Sequence, residues 1–209
     1  MPEKFNAIVP KSADVNFLLG HTDIYLIDQI MKGTYDKSHL VLDAGCGGGR
    51  NLHWFIKNSV AIYGIDNSEE VIDDLKRLYK ELPAGRFQKA SVEALPFADS
   101  FFDAAISSAV LHFATGEAHF FAMITEMLRV LKRNGTLFIR MATEIGIENK
   151  VRLIGNGIYH LPDGSARFLL TRLLLSKILS NYPVTLLEEF KTVNVNDVRC
   201  MSTILLKKT

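Results

Sequence analysis

The chain is poor in cysteine: Cys46 and Cys200 are the only two in 209 residues, with neither zinc-ligand spacing nor the density of a disulfide framework. A stapled secreted scaffold is thereby excluded, each thiol is expected to pack as a small apolar group, and the expected setting is a reducing cytoplasm. Charge of one sign is also missing, since 24 basic residues stand against 23 acidic ones. A net charge of +1 gives no global field for attracting nucleic acid or an anionic membrane surface. Long hydrophobic runs are absent too. The most apolar late stretch, 168–179, is broken by Arg172 and Lys177 and falls short of a membrane span, so no membrane association is expected. Residues 1–10 mix charge with apolar side chains and hold no hydrophobic region of a secretory signal. No repeat, low-complexity tract or metal-ligand cluster is visible, so no bound metal is expected.

What is present is a large apolar fraction, 48%, which can fill the core of one domain over 1–209. Short apolar runs near 40–44, 60–65, 86–90, 104–110 and 136–140 suit strands buried on both faces. Between them, 50–57, 69–81 and 117–132 carry apolar stripes at helical spacing. Strands alternating with helices predict an α/β protein, a Rossmann-like three-layer sandwich around a mostly parallel sheet. Two last strands, 184–193 and 198–207, turn at Asn194–Asp197 and make a seven-stranded sheet with a C-terminal antiparallel hairpin. Ahead of the sheet, 14–32 has helical spacing interrupted at Gly20-His21, which predicts a helical cap over 1–35. Residues 141–167 are glycine-rich and irregular, and with the helix over 168–179 they make 141–183 a lid or substrate segment.

The chemistry concentrates at strand ends. Asp43 closes the first strand, and Gly45, Cys46, Gly47, Gly48 and Gly49 follow before Arg50 opens a helix. Glycines there let a ligand approach main-chain atoms that a Cβ would block, at the sheet edge where open α/β folds bind ligands. The dinucleotide fingerprint would need its third glycine at position 50, which is Arg50. Arg50 and the free N–H groups of the helix start suit a ligand carboxylate. Asp66 ends the second strand, 17 residues after Gly49, a strand-helix-strand distance at which a carboxylate accepts from both hydroxyls of a ribose. Asn67 borders the same site, and Ser68 with Glu70 suits the cap of the next helix. His112, after the fourth strand, is the candidate proton acceptor, because an imidazole titrates near neutral pH. Arg140, His160 and Arg167 are substrate-side candidates, and His21, Asp23 and Tyr25 could reach a ligand from the cap.

Asp43-Ala44-Gly45-Cys46-Gly47-Gly48-Gly49 resembles the first motif of class I S-adenosylmethionine-dependent methyltransferases. Ser91 to Phe97 is similar to the second motif and Leu128 to Leu137 to the third, so the resemblance runs in order over 40–209. The chain is most similar to small single-domain bacterial methyltransferases of type 11, and Gly49-Arg50-Asn51 resembles tellurite-resistance methyltransferases. The resemblance implies that S-adenosylmethionine is the cofactor and S-adenosylhomocysteine the product. It places Ser91, where the family often has Asp, and the Val92 main chain at the adenine, and the Ser107 and Ser108 main chain at the methionyl end. Glu93 is read as a surface residue. The implied reaction is methyl transfer to a small-molecule acceptor; a dedicated base is optional, and the oligomeric state is left open. Alternatives are a non-catalytic S-adenosylmethionine-binding protein or subunit, an RNA methyltransferase and an NAD-dependent oxidoreductase.

Overall fold

The computed structural model describes residues 12–209, so the reading of residues 1–10 lies outside the described part. The chain opens with α1 (Ser12–Leu19) and α2 (Ile24–Met31), two helices broken at Gly20, whose φ is +58°. Next come β1 (Leu40–Ala44), α3 (Leu52–Lys57), β2 (Ala61–Asp66), α4 (Glu69–Leu78) and β3 (Phe87–Lys89). Then follow β4 (Phe102–Ser108), α5 (Glu117–Val130) and β5 (Leu131–Thr143). The last third holds β6 (Arg152–Gly155), β7 (Ile158–His160), β8 (Ala166–Phe168), α6 (Arg172–Asn181), β9 (Val184–Leu186), β10 (Lys191–Val195) and β11 (Arg199–Lys208).

The main sheet runs β10-β11-β5-β4-β1-β2-β3, parallel from β3 to β5, with β11 antiparallel to β5 and β9 also paired to β11. Its strands are apolar on both faces because helices cover both. Val41 belongs to the core with Leu26, Leu52, Phe55 and Leu75, whereas Leu42 packs with Phe120, Ile124, Leu174 and Ile178. That split across adjacent residues is the three-layer sandwich. After β1 the chain builds β2 and β3 on one side and then crosses to β4 and β5 on the other, so the strand order reverses between β1 and β4. In such sheets the crevice at the C-terminal ends of those two strands is where ligands bind.

Some expectations shift. The stretch 141–167, expected to be irregular, begins with β5 extended to Thr143 by its pairing with Cys200 and goes on to a separate antiparallel sheet, β6-β7-β8. Its first hairpin turns at Asn156 and Gly157, with φ +51° and +80°, the positive values a two-residue hairpin needs. The strand expected over 184–193 is interrupted, and β9 and β10 pair with different parts of β11. The helix expected over 168–179 starts at Arg172, where the Thr171 hydroxyl accepts from the Leu174 N–H at 2.9 Å.

Two glycines of the first turn serve packing, Gly45 against Val110 and Gly49 against Leu75 and Leu52. Gly49 has φ +80°, and a Cβ there would lie 2.6 Å from Leu75 Cδ2 and 3.1 Å from Leu52 Cδ1. Gly49→Ala is therefore expected to destabilise the fold by about 1–3 kcal/mol through overpacking and a strained backbone. A lowered urea midpoint at unchanged m-value measures this; an unchanged midpoint would mean that α3 and α4 shift apart freely.

Candidate functional site

At the switch point lies a cavity of about 650 Å³, within the range of small-ligand sites. Its floor is the turn after β1. The Gly45 and Cys46 N–H groups both donate to the Ile65 carbonyl, at 2.9 and 2.8 Å, which ties the turn to β2. The Gly47 N–H donates to Asp66 Oδ2 and the Ser68 N–H to Oδ1, each at 3.0 Å. Asp66 is thereby held at the cavity wall with one lone pair of each oxygen engaged and others left over. A Cβ on Gly47, with φ +48°, would meet no atom within 4 Å, so the turn leaves open space above its backbone.

Gly45, Cys46, Gly47, Arg50, Asp66, Asn67, Ser91, Val92 and Ser108 all line this cavity, joined by Gly48, Asn51, Ala109, Val110, Phe113 and Met123. Glu93, read from sequence as a surface residue, also lines it, with Oε2 3.4 Å from His119 Nε2. His119 had no sequence signal, since a helix stripe marks only apolar positions. Gly49, Asp43 and Ser107 are not in the cavity wall. Ser107 is fully buried with an unpartnered hydroxyl. Asp43 is buried behind the turn, neither of its carboxylate oxygens has a partner, and burial pushes its carboxyl up to about 7 while Arg50 opposes and Asp66 reinforces the rise. Burial likewise pushes the Cys46 thiol up, so it is not poised as a nucleophile.

The N-terminal helices reach the site through Asp23. Its Oδ1 caps α2 by accepting from the Tyr25 N–H at 3.0 Å, and its own N–H donates to Asn51 Oδ1 at 3.1 Å. Its Oδ2 faces two guanidiniums, Arg140 Nη1 at 3.0 Å and Arg50 Nη2 at 3.4 Å. Arg50 also donates to Ser108 Oγ at 3.0 Å, and the Arg140 guanidinium lies 4.9 Å from the Tyr25 ring centroid. Four sequence-distant residues thus form one cluster on the cavity rim. His21 is exposed and stands outside it.

His112 sits in a single 3-10 turn, Leu111–Phe113, with Nδ1 accepting from the Ala142 N–H at 3.3 Å. Burial, then Arg167 and Arg140, hold its imidazole down to about 4. At neutral pH the ring is uncharged, and with Nδ1 accepting, its proton is on Nε2, which makes the remaining polar atom a donor. Arg167 lies over the Phe113 ring at 5.1 Å. His160 stands apart, in a second depression of about 390 Å³ with Lys150 and Arg152.

A doubly wound sheet carrying a glycine turn on one strand, an acid on the next and a shared cavity between them, with the antiparallel β11 beside β5, is a Rossmann-like nucleoside-binding architecture. Residues 42–139 match the model of the type-11 methyltransferase domain. That domain match, over just under half of the chain, and the fold shared with solved methyltransferases support a class I S-adenosylmethionine-dependent methyltransferase of that kind. A SAM-dependent methyltransferase from Methanosarcina mazei shares the fold at TM-score 0.71 and 19% identity, over 86% of this chain and 96% of that one. The Burkholderia thailandensis 1,6-didemethyltoxoflavin-N1-methyltransferase, solved with its substrate and S-adenosylhomocysteine, aligns at TM-score 0.62 and 16% identity, over 98% of this chain and 93% of that one. In sequence, an Arabidopsis thaliana tRNA (carboxymethyluridine(34)-5-O)-methyltransferase is 30% identical over 135 residues, 65% of this chain but 30% of that protein. The matches span less than a third of the length of the curated relatives. Among the described residues no helix is long and apolar enough to cross a membrane.

Proposed function

We propose that the chain transfers a methyl group from S-adenosylmethionine to a small-molecule acceptor. The observation that carries this reading is the single cavity in which Asp66, the open backbone at Gly47 and the Arg50 guanidinium meet. These groups fit the cofactor part by part. Asp66 has acceptor capacity left for the ribose hydroxyls, Ser91 and Val92 offer a hydroxyl and main chain to the adenine, and Arg50 offers donors to the methionyl carboxylate. When bound, the cofactor supplies an already activated sulfonium methyl carbon. The protein's own task is then to align donor and acceptor and to exclude water. Val92, Val110, Phe113 and Met123 supply the apolar wall for that. His112 is available to an acceptor as a hydrogen-bond donor, and no step requires it as a base.

Calorimetry with S-adenosylmethionine, S-adenosylhomocysteine and NAD separates the readings. Both adenosyl ligands should bind and NAD should not; binding of NAD alone would replace this proposal with a dehydrogenase. Label transfer from methyl-labelled cofactor should then go to a member of a metabolite panel and not to tRNA, as the near-zero net charge gives no footprint for a polyanion. Cofactor binding without transfer to either would instead support a non-catalytic binding protein.

A further inference from the structure

Beside the cofactor cavity the structure gathers guanidiniums whose N–H groups its acids do not fully answer. Arg140 on β5 lies opposite Ser108 on β4, at the end of the sheet where the cavity opens. Its Nη1 is paired with Asp23, but its Nε is buried without a partner. Asp23 is also shared with Arg50, so one carboxylate faces two guanidiniums. Arg167 on β8 donates to the Ala166 carbonyl at 2.9 Å, makes no ion pair among the described residues, and lies over Phe113. Two acids lie on this side: Glu144, which interacts with the Tyr159 hydroxyl, and Asp163, whose carboxylate accepts from Ser165 and feels the Arg167 charge without pairing with it. Between the two arginines, His112 is close enough to feel both charges and presents only a donor.

A half-buried guanidinium with unmet N–H groups is costly unless an acceptor arrives, and its planar fork matches the two oxygens of a carboxylate. Next to these donors is an apolar platform. Phe113 lines the cavity and is 61% exposed, so its ring offers apolar surface to a ligand there. The pairing of a cationic corner with an exposed aromatic face is the outline of an amphiphilic small acid.

We propose that the methyl acceptor carries a carboxylate or a like oxyanion, held by Arg167 and Arg140, with its apolar body against Phe113. This rests on the reading that the adjoining cavity holds S-adenosylmethionine. The oxyanion is the handle by which the acceptor is oriented, and the transfer itself is that of the proposed function. Arg167 is the specificity-determining residue, since Arg140 is already anchored to Asp23.

Binding can be read without turnover. The full chain saturated with S-adenosylhomocysteine is titrated with matched pairs, phenylacetate with phenylacetamide and succinate with succinamide, by calorimetry. In at least one pair the acid should bind about tenfold or more tighter than its amide, the factor one charge-assisted hydrogen bond supplies. Arg167→Gln should abolish that preference and Arg167→Lys should retain part of it, with S-adenosylhomocysteine affinity unchanged in both. Equal affinities of acid and amide in every pair, or a preference that survives Arg167→Gln, overturns the proposal. A native circular-dichroism spectrum without S-adenosylhomocysteine binding would overturn the cofactor reading first and this inference with it, which is a different outcome from ligand-bound protein indifferent to charge.

Discussion

Asp66→Ala is expected to weaken S-adenosylmethionine binding by about a hundredfold or more, the largest loss of any single substitution in the cavity. A carboxylate that accepts from two vicinal hydroxyls makes two charge-assisted hydrogen bonds, each contributing about 1.5–3 kcal/mol, and truncation also leaves the hydroxyls unpaired. There is a second contribution. Asp66 holds the Gly47 and Ser68 N–H groups, so the alanine variant also frees the glycine turn that forms the cavity floor. Asp66→Asn separates the two effects, because its amide oxygen can still hold one of those N–H groups while the charge is lost. An intermediate loss is expected there. His112→Ala should leave cofactor affinity nearly unchanged, as His112 lies outside the cavity wall. Equal losses in Asp66→Ala and His112→Ala by calorimetry would show that the ribose is held elsewhere.

The parallel part of the fold was legible because a strand buried on both faces must be largely apolar, and β1, β2 and the 104–106 stretch of β4 read as apolar runs ending in polar residues. Asp43 and Asp66 stood out for the same reason, each being the first charge after such a run. The β6-β7-β8 sheet was missed because its outer strand exposes Arg152, Leu153 and Ile154 and shows no alternation. Its Asn156-Gly157 dipeptide was a usable hairpin signal. Other features have no local signature at all. Asp23, Arg50 and Arg140 meet only because β1 and β5 lie on either side of β4 while α2 returns over the edge, and the Asp23 carboxylate reaches an arginine 117 positions away. A single sequence can nominate an arginine for the substrate side, as it did Arg140 and Arg167, yet the partner each one finds is a property of the sheet order. His160, nominated on equal grounds, falls on the far face of the small sheet's hairpin, with Lys150 and Arg152.

Asp43→Asn is expected to make the protein more stable at pH 8 and to flatten its stability between about pH 4 and 7. The folded-state value of Asp43, pushed up to about 7 by burial, lies above the ordinary 3.8 of an unfolded aspartate. As pH rises through this window the unfolded chain gives up the proton first, so the native state binds more protons and the stability contributed by the group falls. Below about pH 4 that contribution is fully present, and above about pH 7 it is gone. A shift of roughly three units corresponds to about 4 kcal/mol at most. The asparagine variant cannot ionise and escapes this loss. It still buries an amide with no partner in place of a carboxyl, so its advantage appears only at the alkaline end. Urea unfolding of both proteins at pH 5 and pH 8 measures the difference, and identical pH slopes would mean that Asp43 is solvated or paired in solution. Retaining so unfavourable a carboxylate at the end of β1 makes sense if the ligand in the adjoining cavity is a cation. S-adenosylmethionine, positive at sulfur, would draw the Asp43 proton off. Its binding near pH 6.5 should therefore release more protons in the wild type than in Asp43→Asn, and calorimetry in two buffers of different ionisation enthalpy reads that difference directly.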